Sequence, residues 1–216
     1  MKMSYFLLLI FSVLSVSCDS GKKYHDGTPE EKAFKSHRER IESFQDKLNK
    51  EFNDSKLTPL LPEDFKNFKQ LDFFPIDTSY ALMAYFERTP NEKPFMMPTT
   101  TDRVVLEVQY GILHFTIDEN KYSLAVYQNQ ELVKQEEYKD YLFLPFMDDT
   151  NGEETYGGGR YLDMRIPEKD SVLLDFNTAY NPYCVYNPKF SCPLVPERNY
   201  IPVRIPVGIK DFKTKD

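Results

Sequence analysis

Four of the eight glycines in this chain lie between Gly152 and Gly159, inside the segment F-M-D-D-T-N-G-E-E-T-Y-G-G-G-R-Y-L-D. Polar, glycine-rich loops between apolar strands are where binding chemistry usually sits. Two kinds of chemistry fit the residue types. The run Tyr156-Gly157-Gly158-Gly159-Arg160 could offer backbone N–H groups to an anion, with Arg160 adding a fixed charge. Phosphate loops of this kind normally open a helix, however. Here Arg160 leads into Y-L-D-M-R-I, which reads as a strand. The plain alternative is a bulge or wide turn that needs positive φ. The acidic group Asp148, Asp149, Asn151, Glu153 and Glu154 supplies oxygen ligands of the type calcium takes, without EF-hand spacing. It also holds carboxylates that could act as general acid and base, joined by Asp163 and Asp175. The plain alternative is a solvated turn.

A second segment, L-D-F-N-T-A-Y-N-P-Y-C, sets Asp175, Asn177, Tyr180 and Asn181 beside aromatic rings. Ring faces with hydrogen-bonding edges suit a polyhydroxylated ligand, and equally an ordered loop whose tyrosine hydroxyls are satisfied internally. The ligand-contacting candidates are therefore Asp149, Asn151, Glu154, Tyr156, Gly158, Arg160, Asp175, Asn177, Tyr180 and Asn181. Catalytic residues are not assigned, and no cofactor or metal is expected. No G-x-S-x-G elbow, H-E-x-x-H, Walker or dinucleotide motif occurs. Cys184 and Cys192 flank seven residues. In an exported chain such a pair forms a disulfide, worth about 2 kcal/mol for so small a ring. Zinc spacing is tighter. His114 is the single histidine of the strand region, and a lone strand histidine is packed or exposed more often than it is a ligand.

The elements that must position these residues follow from periodicity. Residues 1–17 carry Lys2, the apolar run Phe6–Phe11, then small residues before Cys18. This is a signal-peptide pattern ending in a lipobox-like Ser15-Val16-Ser17-Cys18 that lacks the usual leucine three residues before the cysteine. Cys18 is the expected lipidation site, residues 18–27 a tether, and the apolar run is too short to span a bilayer. The expected location is the bacterial cell envelope, with the domain held on a membrane and exposed to the periplasm or cell surface. Thr28, Pro29 and Glu31 read as a capped helix start, and Phe34, Ile41, Phe44, Leu48 and Phe52 form one apolar face. The spacing predicts an amphipathic helix within 28–55. Residues 56–216 read as a β-rich domain: Leu57–Phe74 is punctuated by prolines with room for a short turn of helix around Glu63–Phe68, after Asp77 the period is two, and the fifteen prolines of the whole chain mark strand ends and turns. Strands are expected at Tyr80–Glu87, Val104–Tyr110, Ile112–Ile117, Lys121–Tyr127, Tyr141–Phe146, Arg160–Ile166, Ser171–Phe176, Ile201–Ile205 and Val207–Phe212. A bend is expected at Tyr110-Gly111 and a hairpin turn at Asp118–Lys121. The fold class is mainly β, an antiparallel β-sandwich or open barrel of about eight to nine short strands with the N-terminal helix. With 34 Asp and Glu against 27 Lys and Arg and no basic stripe, nucleic acid is not an expected partner.

The glycine-rich segment, together with L-D-F-N-T-A-Y-N-P-Y-C, F-S-C-P-L-V-P, F-F-P-I-D, A-Y-F-E-R-T-P-N-E-K-P-F-M-M-P-T-T and Y-G-I-L-H-F, resembles domain-of-unknown-function family 1684. Bacteria and archaea carry this family, and the lipobox-bearing form resembles Bacteroidetes-type lipoproteins. The resemblance covers about Glu30 to Phe212 and implies no activity or catalytic residue. Two functions are consistent with these observations. The first is a non-catalytic binding or structural module at the envelope, its partners a membrane through the lipid anchor and a small polar or anionic ligand. The alternative is a hydrolase or transferase built on the carboxylates and Arg160. Convergence of Asp149, Glu154, Arg160, Asp175 and Cys184 on one cleft would favour the enzyme.

Overall fold

The computed structural model describes residues 36–212. The signal-peptide pattern, Cys18, the tether and the helix start at Thr28–Phe34 lie outside the described residues. Helix α1 spans His37–Asn53 and opens on Ser36, whose hydroxyl accepts from the Glu39 N–H at 3.2 Å. A serine N-cap here satisfies one of the unpaired N–H groups of the first turn. Among the described residues the helix begins after Ser36, whose backbone is extended (φ −147°, ψ 161°). Ile41, Leu48 and Phe52 face inward as their spacing requires. A single turn, α2 (Pro62–Phe65), follows.

Among the described residues eight strands form one sheet: β1 Ala81–Arg88, β2 Phe95–Pro98, β3 Val104–Ile117, β4 Asn120–Asn129, β5 Tyr141–Asp148, β6 Arg160–Arg165, β7 Ser171–Asp175 and β8 Tyr200–Ile201. The order is β6-β5-β4-β3-β1-β7, with β2 also on β3 and β8 on β5. These pairings are antiparallel except that of β5 with β8. The sheet curls into a half-barrel, the open-barrel form of the expected class.

Strand β3 is continuous where two strands were expected. The register of β3 on β4 slips between Gln109 and Gly111, so the break read at Tyr110-Gly111 is a β-bulge within one strand. The bulge changes the face to which odd-numbered residues point. Before it, Glu107 and Gln109 lie opposite Asn129 and Tyr127; after it, Leu113 lies opposite Leu124. Tyr127 and Leu124 belong to the cores on opposite faces of the sheet. The two halves of β3 also take different partners along one edge, β2 before the bulge and β1 after it. Between β3 and β4, Asp118 and Glu119 both have positive φ (47° and 67°). That is the two-residue primed turn of a tight hairpin.

One core joins Leu113, Phe115, Leu124, Val126, Leu142, Leu144, Phe146 and Phe176, closed by Ile201, Ile205 and Val207. On the other face, Ala125, Tyr127, Phe143 and Tyr161 pack with Leu48 and Phe52 of α1, Leu60, Leu71 and Tyr186. Adjacent strand residues thus feed different cores, as the two-residue period dictates.

The strands expected at Ile201–Ile205 and Val207–Phe212 are corrected. Only Tyr200–Ile201 is strand; Ile209 makes an isolated bridge with Phe73. Pro202 and Pro206 have no N–H to give a ladder, so this segment crosses the core as irregular chain with its carbonyls available to side chains. Pro145 has a related effect inside β5. It is buried in a central strand, and the Asn199 side chain fills the gap beside it. Its amide donates to Pro145 O at 2.6 Å and Ala125 O at 2.8 Å, and its oxygen accepts from Ala125 N–H at 2.9 Å.

Candidate functional site

The glycine-rich loop joins β5 to β6. Arg160 begins β6, is fully buried, and forms an ion pair with Asp148, at the end of β5, at 2.5 Å. The same guanidinium donates to Ile205 O at 2.9 Å, to Val207 O, and at 3.5 Å to Ile209 O. It lies over the Phe146 ring, 5.2 Å from the centroid. Burial disfavours its charge, and Asp148 offsets this. The other Asp148 oxygen accepts from the Thr150 N–H at 2.6 Å and hydroxyl at 2.5 Å. Asn151 closes the turn by accepting from the Asp148 N–H at 2.6 Å and donating to Thr155 Oγ1 and Tyr156 O at 2.9 and 2.8 Å. These groups define the loop's shape and hold Arg160 away from solvent, so the loop presents no cation to an anion.

Gly159 is the glycine the loop depends on. Its φ is +93°, and a Cβ there would sit 2.6 Å from Phe146 O and 2.6 Å from Val195 Cγ2. Gly158 lies beneath the Tyr156 ring, whereas nothing lies closer than 3.7 Å to a Cβ on Gly157. The other acidic residues of the loop, Asp149, Glu153 and Glu154, are exposed. Asp149 accepts from the Tyr200 hydroxyl; Glu153 and Glu154 both pair with Arg204, the former at 2.9 Å. Glu153 and Glu154 border a cleft of about 1090 Å³ lined also by Phe68, Lys69, Tyr186 and Lys210.

The second candidate segment is held by internal bonds. Asp175 ends β7, accepts from the Asn177 N–H at 3.1 Å, and pairs with His37 of α1 at 2.7 Å. Asn177 is buried and bonded to both the N–H and the carbonyl of Asp77, at 3.0 and 2.8 Å. Tyr180 donates to Asp163 Oδ1 at 2.6 Å, as Tyr141 does at 2.7 Å. Burial and the adjacent Asp163 push the Tyr180 hydroxyl well up. Asn181 donates to Lys210 O at 2.8 Å. The two candidate loops do meet, through reciprocal backbone bonds between Tyr161 and Tyr180 at 2.9 and 3.0 Å, but they meet in packing. Of Asp149, Glu154, Arg160, Asp175 and Cys184, only Glu154 lines the cleft above, and Arg160 is fully buried. His114 sits on an exposed sheet face, 2.8 Å from Glu87.

Cys184 and Cys192 stand as thiols, not joined to each other. The Cys184 N–H donates to Cys192 Sγ at 3.2 Å. The Cys184 thiol is lowered to about 7, chiefly by hydrogen bonding from Cys192, with burial opposing and Thr100 and Tyr156 hydroxyls assisting. Sequence reasoning paired these cysteines but missed the hydroxyls, which come from distant positions.

Sequence reasoning also missed Glu107. It is 2% exposed on β3; one oxygen accepts from Asn129 at 2.7 Å and Oε2 has no partner among the described residues. Burial raises it to about 7. The available signal was its inward parity with Val105 and Gln109.

The pattern of a family described as a protein of unknown function, DUF1684, matches residues 66–210. An uncharacterized protein of Haloarcula marismortui, solved by solution NMR, superposes with a TM-score of 0.63 at 28% identity, covering 80% of this chain and 93% of that one. No curated protein matches. The whole described sheet, both candidate loops and the Arg160 clamp fall within the matched residues, and the chain belongs to the DUF1684 family.

Proposed function

We propose that this chain is a lipid-anchored protein of the bacterial cell envelope whose folded domain is a non-catalytic binding or structural module. The observation that carries the second half is the burial of Arg160 against Asp148 and main-chain carbonyls. Arg160 and Asp148, the pair in that segment best suited to anion or acid–base chemistry, instead hold the β5–β6 loop. The scatter of Asp149, Glu154, Asp175 and Cys184 supports the same reading. The hydrolase or transferase alternative needs those groups on one cleft.

The anchor rests on the Lys2–Cys18 pattern. Cys18 is then the mature N-terminus and carries acyl chains that hold the domain on the membrane. Outside the cytoplasm Cys184 and Cys192 meet conditions in which a disulfide forms. Membrane fractionation of wild type and Cys18→Ser tests the anchor. The wild type is expected in the membrane fraction with lipid mass on its N-terminal peptide, and the variant in the soluble fraction. A wild type without lipid, together with a Cys18→Ser variant that is equally membrane-bound, rules the anchor out.

A further inference from the structure

We propose that Cys184 and Cys192 form a redox-active dithiol that exchanges with low-molecular-weight disulfides, Cys184 being the attacking sulfur and Cys192 the resolving one. This goes beyond a structural staple. Cys184 is partly exposed, whereas Cys192 is 7% exposed. An incoming disulfide therefore reaches Cys184 first, and Cys192 waits on the protein side. Redox-sensitive pairs have this arrangement of an accessible thiolate beside a resolving cysteine.

The surroundings stabilise the thiolate at Cys184. Cys192, Thr100 and Tyr156 side chains and the Cys184 N–H all hydrogen-bond within the pair. Thr100 Oγ1 accepts from the Cys192 N–H at 3.1 Å, and Thr100 N–H donates to Cys192 O at 2.8 Å. That contact ties the cysteine loop to the end of β2 and leaves the Thr100 hydroxyl proton for sulfur. Two hydroxyls brought from residues 100 and 156 to one sulfur are of no use to a closed disulfide. They favour the reduced form, which makes the oxidised form easier to reduce. The titratable groups around the pair are Tyr156, with Asp211 beyond it, and Tyr183, with Glu51 and Asp163 beyond it.

The exchange balances in two steps. The Cys184 thiolate attacks one sulfur of RSSR; the R–S–S–R bond breaks, a mixed disulfide forms, and RS⁻ leaves with the proton Cys184 gave up. Cys192 then attacks the Cys184 sulfur and releases the second RS⁻, which takes the Cys192 proton. Two electrons pass from the protein to RSSR, giving a protein disulfide and two RSH.

The test uses the full chain carrying Cys18→Ser, so that the third cysteine is silent, with oxidised glutathione as the probe. In the further variant Cys192→Ser, a stable glutathione adduct is expected on Cys184. In Cys184→Ser, Cys192 is expected to stay unmodified. The parent is expected to close an intramolecular disulfide that millimolar reduced glutathione reopens without denaturant. Alkylation of Cys184 by iodoacetamide is expected to show a midpoint near pH 7. At about pH 7 it should run roughly sixfold faster than an ordinary thiol, since about fiftyfold more thiolate is offset by about eightfold lower nucleophilicity. Parent exchange, read on the unmodified pair, stands even where a serine variant folds poorly. Inertness of the folded parent to oxidised glutathione overturns the proposal, as does a disulfide that opens only after unfolding, or adduct formation on Cys192 at the same rate. None of these outcomes bears on the anchor, which fractionation reads separately.

Discussion

Truncating Arg160 to alanine leaves Asp148 as a buried carboxylate without its cation and deprives three carbonyls of their donor. The expected cost is about 3–5 kcal/mol, read as a large fall in melting temperature. Added phosphate should shift neither the parent nor the variant; an anion-dependent shift lost with Arg160 would make it a ligand residue. Glu107 gives a prediction with pH. Its folded value is raised from 4.5 to about 7. Between those values the native state holds a proton that the unfolded chain has lost, so stability falls as pH rises through that window and then levels. Glu107→Gln keeps the contact with Asn129 and removes the charge. The variant should gain about 3 kcal/mol over wild type at about pH 8 and lose the slope between 4.5 and about 7 in urea titrations. At this scale residue types were legible and partners were not. Arg160 and its acidic neighbours lie in one segment, so an internal pair was readable there. The carbonyls of residues 205–209, the Thr100 hydroxyl and the Asn199 amide arrive through long-range folding, which no local spacing encodes.

The β5–β6 loop owes its path to one glycine. Gly159→Ala forces a side chain into positive φ and against Phe146 O; the strain and overlap together should cost at least about 2 kcal/mol. Gly157→Ala, with nothing nearer than 3.7 Å, should stay within about 0.5 kcal/mol. Chemical denaturation of the two variants checks the contrast, and equal losses would show that the whole triplet matters. Most strands were legible because alternation and β-branched residues mark them directly. The failures have physical causes. Phe95–Pro98 is four residues ending in proline, too short to show a period. The bulge in β3 looked like a strand end because Gly111 lacks a side chain, and that absence is required: a Cβ there would lie 2.6 Å from the Phe86 ring. The C-terminal run was read as two strands because its aliphatic residues alternate, but Pro202 and Pro206 take ladder donors out of that pattern.

The described residues build two cores on a single curled sheet, and the central strands contribute to both. Phe176→Ala damages one core and Phe52→Ala the other, each at about 3–5 kcal/mol. Because the cores share their backbone, both variants should move one common transition. Unfolding followed by far-ultraviolet dichroism and by tyrosine fluorescence should coincide in each; a separate early transition for Phe52→Ala would make α1 an independent unit. The clamp at Arg160 has a further consequence, which concerns the order in which the ribosome delivers the chain. The guanidinium is made at residue 160, but the carbonyls that solvate it belong to residues 205, 207 and 209. Until those residues emerge, the nascent sheet would have to bury a guanidinium whose main-chain acceptors are missing. The sheet therefore closes around Arg160 only after residues 205–209 have been made.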